Sequence, residues 1–335
     1  MDLARAVQRA AGALPERVRD RVRLLVAPHS VDRRDHGALI AAAAALPFEE
    51  WERQGWHLTP NSYLSTIPDT RRLPARLWSE ESELPGIDLR DGAQVRLLAE
   101  LADRFGPELA ALPRTPEQAG PGGYHLANGA FEAVDAEIYH AMIRLHRPAT
   151  VLEIGSGWST LLALAALRAN AAGGAGGRLV AVEPHPYEFL VRAVAGAGTP
   201  AELRRVSVQE VPLAEFTGLR AGDILFIDSS HVLKIGSDVQ YELLEVLPRL
   251  APGVLVHLHD IFLPGEYPRD WVLGPEHRFW NEQYLLQAYL AGNARVEVLW
   301  AGSWMHRRHP ELLGAALPSY DRSRHRPGSF WFRTL

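Results

Sequence analysis

From about residue 130 onward, apolar positions follow two alternating rhythms. In "AFEAVDAEIYHAMIRL" the residues Phe131, Val134, Ile138, Met142 and Leu145 recur every three or four positions, which predicts a helix with one buried face. "ATVLEIG" is a nearly continuous apolar run, the pattern of a strand covered on both sides, and "STLLALAALRANA" returns to a helix. The alternation continues with strands at "RLVAVEP" (178–184), "RVSVQEV" (205–211), "DILFIDS" (223–229) and "GVLVHLHD" (253–260). Helices are predicted at "HPYEFLVRAVAGAG", "SDVQYELLEVLPRL" and "HRFWNEQYLLQAYLAGN", and closing strands at "RVEVLWAG" and "GSFWFRT". No internal repeat is visible.

Buried strands alternating with helices predict an α/β fold, a Rossmann-like, doubly wound, mostly parallel sheet of seven strands. The last two strands, joined by a long connection, suit an antiparallel edge. The N-terminal part reads differently. Residues 1 to about 50 suggest amphipathic helices rich in Ala and Arg, broken near Pro15 and Pro28. Residues 51–125 lack a period and are crowded with aromatics and prolines. Trp51, Trp56, Tyr63 and Trp78 argue that this stretch is an ordered cover, because disordered segments are poor in aromatics. "LPRTPEQAGPGGYH" reads as a boundary, dividing a helical arm and aromatic lid (1–125) from a ligand-binding sheet domain (126–335).

Composition narrows the classes. The 335 residues carry 47% hydrophobic positions, enough for a sizeable core. Lys plus Arg number 35 and Asp plus Glu 40, a net −5 that offers no basic excess for nucleic acid. Cysteine is absent, which removes disulfides, thiolate metal sites and cysteine nucleophiles together. The N-terminal arginines do not suit a signal peptide, and "ALIAAAAALPF" is too short and alanine-rich to span a bilayer. A cytoplasmic protein acting on a small molecule is expected, and the aromatics of the arm make a homodimer plausible.

The glycine turn in "VLEIGSGWST" follows the first strand, where ligands of such sheets bind. Thr160 stands where a dinucleotide fingerprint wants its third glycine, and no Gly-Lys-Ser/Thr ending marks a triphosphate loop. No positive charge lies in the turn. Glu153 precedes it, a carboxylate that would repel phosphate and attract an ammonium or sulfonium. Glu183, ending the second strand, is placed to accept ribose hydroxyls. S-adenosylmethionine satisfies both acids.

On these residues the chain from about 130 to 335 resembles the class I S-adenosylmethionine-dependent methyltransferases. It is most similar to a bacterial subgroup carrying "FIDSSHV", "GSDV", "HDIF" and an N-terminal "HLTPNSY" segment. The resemblance implies that Glu153, Gly155 and Gly157 form the cofactor loop, that Glu183 takes the ribose, and that Gln209 borders the adenine. It also implies that the ends of the fourth and fifth strands flank the transferring methyl group. "FIDSSH" puts Asp228 and His231 there, and "HLHDIF" adds His257, His259 and Asp260. His259 beside Asp260, or His231, is expected to act as general base, while His257 lies deeper and reads as structural. Metal-dependent members of this fold place two aspartates where Asp228 and Asp260 stand. They add an oxygen ligand directly after the second, where this chain has Ile261, so a divalent metal is possible but not expected.

Methyl transfer needs water excluded and two atoms aligned, which a lid carrying Tyr63, Asn61 and His57 would serve. Tyr124 and Asn128 in "YHLANGAF" are candidates for the methionine end of the cofactor, Tyr267 for the border of an acceptor pocket, and "HRRH" (306–309) for a solvated loop. The expectation is O- or N-methyl transfer to a small molecule of bacterial secondary or cell-surface metabolism. The alternative is a cyclase or lyase of the same fold, making azetidine-2-carboxylate and methylthioadenosine in a small sealed pocket.

Overall fold

The computed structural model describes residues 45–335, so the helical reading of residues 1–44 lies outside the described residues. Two compact units divide between Leu73 and Pro74. In the first, the short helix α1 (Phe48–Glu52) carries Phe48, whose ring stacks on His57 at 5.1 Å. Asp69 caps the turn Thr70–Arg72 by accepting from the Arg71 backbone N–H.

The second unit holds everything else. Residues 74–125, which the sequence joined to the arm, fold with the sheet. Their helix α2 (Asp91–Ala110) buries Gln94, Leu98, Leu101, Phe105 and Leu109 at three- and four-residue spacing. This stripe joins the same core as Ile138 and Met142 of α3 (Asp135–His146). The latter helix starts at Asp135 rather than near 130, because Val134 has φ +72°, incompatible with a helix interior.

Seven strands are described: β1 (Thr150–Ile154), β2 (Arg178–Val182), β3 (Ala201–Arg204), β4 (Ile224–Ile227), β5 (Leu255–Leu258), β6 (Val296–Ala301) and β7 (Phe330–Thr334). They form one sheet in the order β3-β2-β1-β4-β5-β7-β6. The first five run parallel, and β7 enters antiparallel between β5 and β6. Alternate residues serve opposite faces. Val151, Ile224, Phe226 and Leu255 point to one core, and Leu152, Ile154, Leu225, Ile227, Val256 and Leu258 to the other. Helices α4 (Trp158–Ala172), α5 (Glu188–Ala195), α6 (Asp238–Tyr241) and α7 (Glu282–Leu290) complete the elements that matter for the site.

The third strand lies earlier than its pattern suggested. Ala201–Arg204 pair with β2, whereas "RVSVQEV" runs past the sheet edge into a short turn at Val208–Glu210. There the Glu210 carboxylate accepts from the Ser207 N–H at 2.9 Å, a local bond that competes with strand pairing. No helix among the described residues is long and apolar enough to cross a membrane.

Candidate functional site

The sheet brings three strand ends to one line. The Gly155 N–H donates to Val182 O at 3.0 Å, the Asp228 N–H to Ile154 O at 2.9 Å, and the His259 N–H to Ile227 O at 2.9 Å. Gly155 has φ +74°, and a Cβ there would lie 1.7 Å from the Asp228 carbonyl oxygen. Only glycine lets the turn after β1 pass so close to the end of β4.

A cavity of about 380 Å³ opens above this turn. Gly155, Glu183, Gln209 and Asp228 line it, together with Ser207, Lys234 and Asp238, which sequence reasoning did not single out. Glu183 joins two loops, accepting from His185 N–H at 2.8 Å and Ser156 N–H at 3.3 Å. Gln209 donates to Gly236 O at 3.0 Å. The Gly157 N–H donates to Thr160 Oγ1 at 3.0 Å, fixing the start of α4.

Three expected cofactor residues face elsewhere. Glu153 is fully buried, and its Oε2 accepts from Thr160 Oγ1 at 2.5 Å instead of lining the cavity. Burial pushes its carboxyl up to about 8, against the hydrogen bonds of Ser159 and Thr160, so at neutral pH it is largely uncharged and cannot attract a cation. Tyr124 donates to Phe131 O at 2.8 Å. Asn128 donates to His125 O and Phe131 O and accepts from Ala130 N–H and Phe131 N–H. Both build the loop before α3, the local role that Asn and a buried Tyr hydroxyl take in turns. Tyr63, in the first unit, is 99% exposed, and His57 pairs with Glu52 at 3.2 Å.

Beyond Asp228 lies the cluster that the strand ends predicted. His231 and Asp260 both have left-handed backbones, φ +59° and +57°, uncommon for non-glycine residues. His231 is buried with Nδ1 2.9 Å from Glu282 Oε2 and Nε2 3.1 Å from Asp228 Oδ1. His259 places Nδ1 3.5 Å from Asp228 Oδ1 and 3.7 Å from Asp260 Oδ2, with Nε2 3.4 Å from Asp135 Oδ2. Asp135 is itself fixed by the N–H groups of Gly328 at 2.8 Å and Ser329 at 3.0 Å.

The charges sort themselves by these contacts. Burial opposes the imidazolium form of His231, but the Asp228 and Glu282 carboxylates outweigh it and raise its pKa well above the ordinary value. Burial likewise opposes a charged His259, and Asp260, Asp228 and Asp135 override it. Burial would raise Asp228, yet His259 and His231 hold it below the usual carboxylate range. Asp260 is raised, chiefly by burial, with Asp228 and Asp135 adding to it. His231 and His259 each have both ring nitrogens facing carboxylates, an arrangement that favours the protonated ring in both.

A second cavity, about 530 Å³, opens on the far side of Asp228. Its floor is Asp135, Asp228, His259 and Asp260, and Trp271, Arg278 and Arg324 stand around it. Arg278 lies over the Trp271 ring at 4.5 Å. Asp228 is the only residue that lines both cavities among the described residues. Asp228, His259 and Asp260 each offer a donor atom within 4.8 Å of the others, a set that fits a divalent ion. The oxygen ligand expected after Asp260 is replaced by Ile261, and the third donor atom beside the two aspartates belongs to His259, the residue before Asp260.

His257 is wholly buried, its ring 4.3 Å from Phe226 and 4.7 Å from Trp331, and burial lowers its pKa. Tyr267 is buried, and its hydroxyl accepts from Gln283 N–H at 3.1 Å. The "HRRH" stretch is helical through Arg308 rather than a solvated loop, with His306 2.8 Å from the Tyr320 hydroxyl and His309 2.7 Å from Asp91.

Known proteins are similar to parts of this chain. A family described as a methyltransferase domain matches residues 152–261, from within β1 to just past Asp260. A protein of Archaeoglobus fulgidus described as uncharacterized is 32% identical over 165 residues, covering 48% of this chain and 72% of its own. An O-methyltransferase from Bacillus cereus, solved in complex with SAH, aligns over 72% of this chain and 90% of its own at 14% identity and a TM-score of 0.35. The apo structure of CmcI aligns over 61% and 72% at 13% identity and a TM-score of 0.33. Residues 152–261 of this chain, about a third of it, are a methyltransferase domain by their match to that family.

Proposed function

We propose that this enzyme transfers the S-adenosylmethionine methyl group to a hydroxyl of a small-molecule acceptor. The observation that carries the reading is Asp228, the one described side chain shared by a nucleoside-sized cavity and a second cavity of about 530 Å³. The adenosyl part lies along Glu183 and Gln209, with the ribose hydroxyls donating to Glu183. The sulfonium then sits beside the Asp228 carboxylate, which the two histidines keep ionised and which therefore complements a cation.

The acceptor enters from the Trp271 and Arg278 side. Its oxygen attacks the methyl carbon in line with the departing sulfur, and its proton passes to the Asp260 carboxylate, which burial makes the more basic of the two aspartates. The protein's contribution is chiefly alignment and exclusion of water. The volume of the second cavity favours this over the cyclase or lyase reaction, which has no acceptor to house.

The test is incubation with S-adenosylmethionine, alone and with a panel of phenolic, sugar and hydroxy-acid acceptors, with quantified nucleoside products. S-adenosylhomocysteine that forms only with an acceptor supports the proposal. Methylthioadenosine accumulating without one, above background decay, contradicts it.

A further inference from the structure

We propose that the second cavity takes its acceptor by an anionic group, a carboxylate or a phosphate, held by Arg278 and Arg324. The methylated molecule is then a hydroxylated organic acid or phosphate ester. The acids that line this cavity already have partners. Asp135, Asp228 and Asp260 face His259, Asp270 pairs with Arg326 at 2.5 Å, and Glu132 accepts from Gly129 N–H at 2.8 Å. The two arginines are not matched in this way. Arg278 meets Glu276 through Nε alone, and neither of its terminal nitrogens has a hydrogen bond or ion pair among the described residues. The Arg324 side chain likewise has none among them. Free guanidinium forks on the lining of a cavity suit the paired oxygens of a carboxylate or phosphate.

A second, independent feature is how firmly these arginines are held. The Arg278 guanidinium lies 4.5 Å from the Trp271 ring and 5.0 Å from the Trp280 ring, and the two rings meet edge to face at 5.2 Å. Such stacking fixes the plane of the fork, so less side-chain freedom is lost when an anion binds. A pair with an exposed glutamate is worth little by itself and does not account for this clamp. Both arginines are also tied to the reacting end of the cavity. The Arg278 N–H donates to Trp271 O at 2.9 Å, and three residues on the Asn281 N–H donates to His231 O at 3.0 Å. The Trp280 ring lies 4.2 Å from that of His231. The Arg324 N–H donates to Asp321 O at 3.1 Å, and four residues on the Gly328 N–H donates to Asp135 at 2.8 Å.

Charge then orients the acceptor. The arginines attract its anionic group and the acidic floor repels it, so the hydroxyl and not the acid is presented to the methyl carbon. A neutral phenol or sugar of the same shape lacks the contact that sets this direction. Naming the acceptor class rests on the proposed methyl transfer; the anion site itself does not.

The experiment is calorimetric titration of the full chain, saturated with S-adenosylhomocysteine, with two matched pairs of probes: salicylate against methyl salicylate, and glycerol phosphate against glycerol. The expected result is that one anion binds about tenfold to a hundredfold more tightly than its neutral twin, the effect of a charge-assisted contact. The pair that shows the preference distinguishes carboxylate from phosphate. Arg278→Gln and Arg324→Gln each remove most of it, and Arg278→Lys keeps only part because the planar fork is lost. Arg322→Gln, in the same loop as Arg324 but outside the lining of this cavity, leaves it unchanged. No preference for the anion in either pair overturns the proposal. So does a loss in Arg322→Gln as large as that in Arg278→Gln, which marks diffuse attraction to a basic surface. Retained S-adenosylhomocysteine affinity shows that a variant is folded, and if Arg278→Gln loses it, Arg278→Lys carries the test. Methylthioadenosine formed without an acceptor defeats the methyl-transfer reading alone, and equal binding of the twins defeats the anion site alone.

Discussion

Glu282 holds His231 at 2.9 Å, and the opposite ring nitrogen of that histidine faces Asp228 at 3.1 Å. The three side chains come from α7, from the loop after β4 and from the end of β4. They form a buried relay of charge that ends on the residue shared by both cavities. Replacing Glu282 by Ala leaves His231 buried against one carboxylate fewer, and unfolding experiments are expected to show a loss of about 3–5 kcal/mol. Glu282→Gln keeps the shape and the acceptor oxygen. It is expected to lower kcat/KM by about tenfold to a hundredfold through misorientation of Asp228, with a smaller loss of stability. Equal kcat/KM for Glu282→Gln and the native enzyme would remove the relay from the account.

Gly155 offers a steric test. A methyl group at this position meets the Asp228 carbonyl at 1.7 Å on a backbone with φ +74°. Gly155→Ala is therefore expected to cost on the order of 1–3 kcal/mol of stability. It should also abolish measurable S-adenosylmethionine binding by calorimetry, because relief requires the β1 and β4 ends to part. A variant that binds normally would show that the two ends are not held together as described.

Glu153 carries a pH signature. Its carboxyl titrates near 8 in the folded protein and near 4.5 in an unfolded chain, so the folded state holds the proton more tightly. For an acid raised in this way, stability is greatest below the unfolded value and falls as pH rises toward 8. The decline can amount to several kcal/mol, at about 1.4 kcal/mol per pH unit. Glu153→Gln accepts the Thr160 hydrogen bond without that decline. Urea denaturation is expected to show the variant close to native at pH 5 and clearly more stable at pH 8. The same pH slope in both proteins would contradict the assignment.

Glu183 tests the cofactor side. If it accepts the ribose hydroxyls, Glu183→Ala loses hydrogen bonds to a charged group, about 1.5–3 kcal/mol, or roughly tenfold to a hundredfold in Kd. The comparison to make is S-adenosylhomocysteine against its 2′-deoxy analogue. The native enzyme should discriminate between them, and the variant should not.

Much of this was legible in the chain because it depends on local pattern. The buried strands and the glycine turn announce themselves through periodicity, and Glu183, Asp228, His259 and Asp260 fall where strand ends must converge, whereas Gln209 lies in a turn beyond the end of β3. What was hidden depends on tertiary partners. Asp135 and Glu282 each stand in the first turn of a helix, where an acid is favoured by the helix dipole and so carries no signal of a site. Glu153 looked like a ligand because the sequence shows its proximity to the turn but not the direction of its side chain. The hydrogen-bond partners of Tyr124 and Asn128 lie only a few residues away, and such turns satisfy polar groups without any ligand.

The central claim is that the cofactor's methyl group faces the acceptor cavity past Asp228. A crystal structure with S-adenosylmethionine bound tests it most directly. The account predicts the ribose on Glu183, the adenine bordered by Gln209, and the sulfonium methyl beside Asp228 directed at the His259–Asp260 cavity. A sulfonium turned away from Asp228, or a cofactor bound outside the cavity above Gly155, would contradict it.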